Sequence, residues 1–184
     1  PVPYWSSNAA PAVGGVAGVD FQTTSGNYYV ESPTNYPQLA GLTKFTVAGW
    51  VNCRNSTGGS GGNRLVTWIN HGGNGVDVVY RGDGSVQVGI NQWPDGSPAR
   101  SSAGRITTDA NAGTNNWRFF AVTYDSTFAS GHVKFYFGSN GSPATLDVAK
   151  DYSRGAVGAN ISRFCVGHFN VATRSGAQDR MFRG

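Results

Sequence analysis

Residues 115 to 139, NNWRFFAVTYDSTFASGHVKFYFGS, constrain the fold more than any other stretch of the chain. Aromatic and β-branched residues crowd Trp117 to Tyr124, and Val133 to Phe137 alternate apolar residues with Lys134 and Tyr136. Both patterns are typical of β-strands, and the polar residues between them supply turn chemistry. The stretch therefore predicts an antiparallel hairpin at the centre of an all-β domain.

The period of two along the first of these strands assigns its side chains to two faces. One face carries Phe120, Val122 and Tyr124, and the other carries Phe119, Ala121 and Thr123. Both faces are fairly apolar, so we expect this strand to be covered on both sides. We expect Phe120 and Val122, with Phe135 and Phe137 of the second strand, to be buried between two sheets.

Shorter strand patterns flank the hairpin. They predict strands over residues 45–53, 64–70, 76–81, 85–93, 105–108, 144–148 and 162–169. Gly82-Asp83-Gly84-Ser85 joins two of them with residues that accept positive φ. The 27 glycines and 12% aromatic residues favour short strands with tight turns over disorder. We predict a two-sheet antiparallel jelly-roll sandwich as a single domain over residues 1–184, excised from a larger protein.

Five strings stand in a recognisable order along the chain. The hairpin W-R-F-F-A-V-T-Y-D and V-K-F-Y-F-G-S is preceded by Y-Y-V-E-S-P at 28–33 and F-T-V-A-G-W-V-N at 45–52, and followed by F-C-V-G-H-F at 164–169 and M-F-R-G at 181–184. Together they resemble the laminin G-like, concanavalin A-like jelly rolls of secreted bacterial proteins. The resemblance implies a secreted or cell-surface location, but it does not fix the ligand, since the fold carries binding, adhesive and catalytic members.

The resemblance also exposes a departure. Laminin G-like chains continue past F-x-G into a last strand of the type I-D-E-V-R-I-Y, which this sequence lacks. We expect either a further part of the same polypeptide or a partner to supply that strand, because an unpaired groove is costly. The acidic residue of that strand is missing too, which leaves a structural calcium ion open.

Catalytic motifs are missing from the sequence. A glycosidase needs two carboxylates, about 5 Å apart or roughly 6.5 to 9.5 Å apart, yet Glu31 is the single glutamate and no E-x-D-x-x-E string occurs. There is no G-x-S-x-G motif, and His71, His132 and His168 lack the spacing of a zinc site. We predict a carbohydrate-binding or adhesive module without catalytic activity. The alternatives are a polysaccharide hydrolase or lyase and a structural interaction domain.

A polar and aromatic row is the candidate binding site. Alternation predicts that Val86, Val88 and Ile90 point inward, so the opposite side of the hairpin 76–93 points outward on what we expect to be the concave sheet. The candidate ligand-binding residues are Arg81, Gln87, Asn91 and Trp93, with Trp68 extending the row and His71 and Arg100 on loops. Aromatic rings stack on sugars, while amides and guanidinium groups bind hydroxyls or carboxylates. The alternative is a polar solvent face with Trp93 tucked under Pro94.

The charges do not indicate a nucleic-acid partner. The net charge is +4 with a pI near 9.3, but the positive residues are scattered singly without a run. Mild basicity is compatible with steering toward an acidic polysaccharide. Nothing approaches the roughly 18 consecutive apolar residues of a transmembrane helix, so no membrane span is predicted.

Cys53 and Cys165 each lie at or near the end of a predicted strand. In an extracellular domain, a disulfide across so long a loop would contribute about 4 kcal/mol. Two separate buried thiols are the alternative. The sequence leaves both open.

Overall fold

The computed structural model describes residues 4–6, 18–21, 29–53, 63–94, 97–104, 117–168, 182 and 184. The strands are β1 (Tyr4–Ser6), β2 (Gly18–Asp20), β3 (Val30–Glu31), β4 (Lys44–Val51), β5 (Asn63–Thr67), β6 (Val76–Tyr80), β7 (Val86–Ile90), β8 (Arg118–Asp125), β9 (Val133–Ser139), β10 (Ser142–Lys150) and β11 (Cys165–Val166). Two 3-10 turns, Pro37–Leu39 and Pro98–Arg100, are the helical elements of these ranges.

Three antiparallel sheets organise the strands. The four-stranded sheet has the order β10-β9-β8-β4, the five-stranded sheet has the order β3-β11-β5-β6-β7, and β1 pairs with β2. The two larger sheets enclose one apolar core, which confirms the predicted all-β, two-sheet antiparallel sandwich. The strand predicted over 105–108 lies outside the described residues, and the one predicted over 162–169 is confined to β11.

Alternate side chains of β8 are buried in the core between the two larger sheets. Phe120, Val122 and Tyr124 are at most 2% exposed, as their alternation predicts. The residues between them are half-buried, so the prediction of cover on both sides is wrong. Ala121 and Thr123 point away from the partner sheet. On β9, Phe135 is fully buried, as predicted.

The two cysteines are buried and not linked. Cys165 lies on β11 in the five-stranded sheet, while Cys53 follows β4 of the other sheet. Burial raises the pKa of the Cys53 thiol, and burial together with the nearby Glu31 carboxylate raises the pKa of Cys165. Of the two alternatives that the sequence leaves open, the structure therefore supports two separate buried thiols.

Candidate functional site

The predicted ligand-binding row follows the outward side of β6 and β7. Val86, Val88 and Ile90 belong to the core between the sheets, which confirms their inward orientation. The outward side, however, is not accessible, since Gln87 on β7 and Asp77 on β6 are both 0% exposed. We call the outward side of β5, β6 and β7 the covered face, defined by Arg64, Thr67, Asp77, Val79 and Gln87.

The chain that follows β7 forms the cover. The Gln87 amide nitrogen donates to the Ser97 carbonyl oxygen at 3.1 Å and to the Ser101 hydroxyl at 2.9 Å. A Cβ at Gly89 would collide with the carbonyl oxygen of Gln92, so only glycine admits this close backbone approach. The Gln87 amide is therefore buried beneath the covering segment and anchors it.

A buried ion pair and a tryptophan complete the covered face. Arg64 Nη2 lies 2.8 Å from Asp77 Oδ2, and the two side chains are 1% and 0% exposed. The guanidinium carbon of Arg64 lies 5.8 Å from the centre of the Trp93 ring, within cation–π range. A charge pair withdrawn from water needs hydrogen bonds and shielding. The half-buried Trp93 provides part of that shielding, which leaves its ring poorly placed to stack on a sugar.

Asn91 is held by four hydrogen bonds to backbone groups. Its Oδ1 accepts from the amides of Gly75 at 3.3 Å and Gly158 at 2.8 Å. Its Nδ2 donates to the carbonyls of Arg154 at 3.2 Å and Ala156 at 2.7 Å. The φ of 52° lies in the left-handed region, which asparagine tolerates. Both donors and both acceptor positions of the amide are occupied, so Asn91 fixes the end of β7 rather than offering a ligand contact.

Trp68 faces the core and not the predicted row. The register of β5 against β6 shifts between Arg64 and Val66, so one extra residue reverses the alternation. Trp68 is 2% exposed and meets Phe45 edge to face, with ring centres 5.6 Å apart. The prediction fails here because it assumes an unbroken period of two through β5.

The three remaining predicted contacts lie in different environments. Arg100 is buried, with its guanidinium carbon 5.3 Å from the centre of the Tyr152 ring. His71 is exposed in the turn after β5. Arg81 is half-buried and lines a polar pocket of about 530 Å³ together with Lys150. Neither Arg100 nor His71 lines that pocket.

The outward side of the four-stranded sheet is accessible, and we call it the open face. Its side chains are Lys44, Thr46, Ala48 and Trp50 of β4, Phe119, Ala121, Thr123 and Asp125 of β8, Lys134 and Tyr136 of β9, and Leu146 of β10. Thr46 and Ala48 are exposed, and Leu146 is 53% exposed. The six-residue step from Lys44 to Trp50 makes the face roughly 20 Å long.

Positive charge gathers at one end of the open face. Phe128, in the loop between β8 and β9, is 46% exposed, and Lys44 Nζ and Lys134 Nζ lie 5.9 and 5.1 Å from its ring centre. Lys44 also pairs with Asp125 at 2.9 Å. The hydrogen bond from the Thr127 hydroxyl, with Lys44 beside it, lowers the pKa of Asp125 to about 2. This end therefore holds two lysines against one carboxylate that is ionised at neutral pH.

Aromatic and apolar side chains gather at the other end. Trp50 and Phe119 pack edge to face, with ring centres 5.7 Å apart. Tyr136 and Leu146 lie in the cross-strand row of Ala48 and Ala121, between the two ends. Trp50 and Phe119 also line a shallow pocket of about 420 Å³ beside the turn between β9 and β10. Ala48 and Ala121 are register partners between the two ends. Their small side chains separate Trp50 and Phe119 from the lysines.

Sequence reasoning missed this surface although it assigned part of it correctly. Alternation predicts one face for Phe119, Ala121 and Thr123, but their apolar character predicts that this face is covered. The available signal was the alternation of Thr46 and Lys134 with core residues on β4 and β9. Polar residues at the same parity on three adjacent strands indicate a solvent-facing surface.

Within the described ranges, no group of three or more histidine, cysteine, aspartate or glutamate residues could hold a metal ion. No described helix is long and apolar enough to cross a membrane.

The fold and the open face define an antiparallel jelly-roll sandwich with an accessible sheet surface, a class that includes lectins and other carbohydrate-binding modules. The chain belongs to the concanavalin A-like lectin/glucanase superfamily, because the laminin G-type family model of that description matches residues 24–155. A comparison with curated proteins found no match. The predicted family is confirmed, and the fold supports a carbohydrate-binding or related module.

Proposed function

We propose that this domain is a non-catalytic module of an extracellular bacterial protein and that it binds a polysaccharide along the open face. The observation that carries the proposal is the difference in access between the two outward sheet faces. The covered face is filled by its own chain at Gln87 and Arg64, whereas the open face exposes Lys44, Thr46 and Ala48 and leaves Trp50 and Lys134 half-buried. Membership in a superfamily of lectins and glucanases supports a carbohydrate ligand.

Each part of the open face has a role in this proposal. Trp50 supplies an aromatic surface on which a sugar ring stacks, with Phe119 supporting it. The Thr46 and Thr123 hydroxyls, register partners at the centre, donate and accept hydrogen bonds with sugar hydroxyls. Lys134 faces anionic groups, which makes an acidic polysaccharide the preferred ligand.

The open face suits binding better than glycosidic chemistry. Asp125 at its charged end accepts from Thr127 and pairs with Lys44. Its lowered pKa keeps the carboxylate ionised, whereas a glycosidase acid needs a raised pKa. Asp125 therefore fits a role in holding Lys44 in position.

Affinity electrophoresis against neutral, uronate-containing and sulfated polysaccharides tests the proposal. We expect retention by at least one acidic polysaccharide, reduced on the order of tenfold or more by Trp50→Ala, since a stacked indole contributes roughly 1 to 3 kcal/mol. Tyr36→Ala is the matched control, because Tyr36 is 43% exposed but lies outside the open face. Failure of every polysaccharide to retard the domain, or equal loss in both variants, would contradict the proposal.

A further inference from the structure

A pocket of about 390 Å³ lies at the charged end of the open face. Its lining residues fall within 44–46 and 123–136, which belong to the uninterrupted described ranges 29–53 and 117–168. Lys134 of β9 is the register partner of Thr123 of β8, and Thr123 is the register partner of Thr46 of β4. Because neighbouring strands lie about 4.8 Å apart, these side chains form one row across the pocket.

The lysines and the carboxylate of this pocket do not balance. Asp125 pairs with Lys44 at 2.9 Å, and its other carboxylate oxygen accepts from the Thr127 hydroxyl. Among the described residues, no acidic side chain pairs with Lys134. The two ammonium groups nevertheless lie 5.9 and 5.1 Å from the centre of the same Phe128 ring. The positive charge of Lys134 is therefore left for a ligand to neutralise.

We propose that this pocket binds a sulfate ester, which makes a sulfated polysaccharide the ligand of the open face. The inference rests on the proposed polysaccharide binding and adds the chemical class of the charged group. A sulfate ester carries a single negative charge, which matches the charge of Lys134. The Thr123 hydroxyl can donate to a sulfate oxygen while it accepts from a sugar hydroxyl.

The hydrogen-bond donors of the pocket suit a sulfate ester better than a uronate carboxylate. A carboxylate is planar, and the guanidinium fork of arginine matches it with two parallel hydrogen bonds. No arginine is among the described residues of the lining, whose cationic donors are Lys44 and Lys134. Each ammonium group is a compact point charge whose donors rotate freely. Donors that approach from β4, β8 and β9 fit the terminal oxygens of a sulfate ester, which point in different directions.

Matched derivatives of one polymer test this inference on the wild-type domain. Affinity electrophoresis compares dextran, carboxymethyl dextran and dextran sulfate, with the two charged forms substituted to the same degree. The gels contain about 0.15 M salt, which screens weak attraction between distant charges. We expect the dissociation constant for dextran sulfate to be on the order of tenfold lower than that for carboxymethyl dextran, the effect of about one additional charge-assisted hydrogen bond.

Two lysine variants separate the pocket from the overall charge of the domain. Lys134→Gln should weaken retention by dextran sulfate on the order of tenfold and leave the melting temperature nearly unchanged, because Lys134 lies on the open face outside the core. Lys150→Gln is the matched control, since it removes the same charge outside this pocket. Lys150 is the register partner of the buried Val133 and points to the other side of the sheet. It should leave retention unchanged.

Equal retention by the two charged dextrans would overturn the inference. Equal losses in Lys134→Gln and Lys150→Gln would also overturn it, because retention would then follow net charge. If Trp50→Ala still weakens retention in either case, polysaccharide binding along the open face stands without the sulfate preference. Retention by no polysaccharide at all would overturn both.

Discussion

The strands that form the covered face and the open face have the same kind of alternating sequence, but the two faces differ in solvent exposure. On the covered face, Arg64, Asp77 and Gln87 are at most 1% exposed although all three are polar. On the open face, Thr46 and Ala48 are exposed. Alternation therefore establishes which side of a strand points away from the core, and it does not establish whether that side reaches solvent.

The connections between strands explain the difference. After β7, the segment from Ser97 to Ser101 returns across the sheet and binds Gln87. β9 and β10 are joined by the turn at Asn140 and Gly141, which is too short to cross a sheet face. Access is set by the length and path of the loops, so a face served by tight turns is the better candidate for binding a polymer.

The two ion pairs should give the largest contrast in stability. Arg64→Met removes the guanidinium from the buried Asp77 carboxylate and should lower the free energy of unfolding by about 3 to 5 kcal/mol. Lys44→Met removes the exposed partner of Asp125 and should cost less than about 1 kcal/mol. Urea unfolding of both variants measures the difference. Equal losses would mean that the covered face is not sealed from water.

The two tryptophans should separate stability from binding. Trp93→Ala uncovers the Arg64 guanidinium and should lower stability by about 2 kcal/mol without reducing polysaccharide retention in the folded fraction. Trp50→Ala should reduce retention and cost at most about 1 kcal/mol of stability. Thermal melts and affinity electrophoresis on the same samples measure both effects. Loss of retention in a fully folded Trp93→Ala protein would restore the predicted row as the binding site.

Asp125 should give the smallest effect, at acid pH. Its folded-state pKa of about 2 lies below its ordinary value of 3.8, so the carboxylate contributes stability above about pH 3.8. That contribution is lost as the pH falls toward 2, where the folded-state group takes up its proton. NMR titration of the side-chain carboxyl carbon should give a midpoint near 2. A midpoint near 3.8 would show that neither Thr127 nor Lys44 holds this end of the open face.

The sequence predicts the strands and their inward sides well, because burial follows a period of two. Phe120, Val122 and the Val86–Ile90 strand are assigned correctly for this reason. The candidate site is predicted poorly, because access depends on contacts that are distant in sequence. The bulge that turns Trp68 inward and the return of Ser97 onto Gln87 leave no local pattern.

Mapping the bound polysaccharide by NMR tests the central claim most directly. The isotopically labelled domain is titrated with short fragments of whichever polysaccharide retains it. We predict that the amides of Thr46, Ala48, Thr123 and Lys134 shift together, while those of Gln87, Asn91 and Trp93 stay unchanged. Amide shifts concentrated on Gln87, Asn91 and Trp93, with no shifts on the open face, would contradict the account.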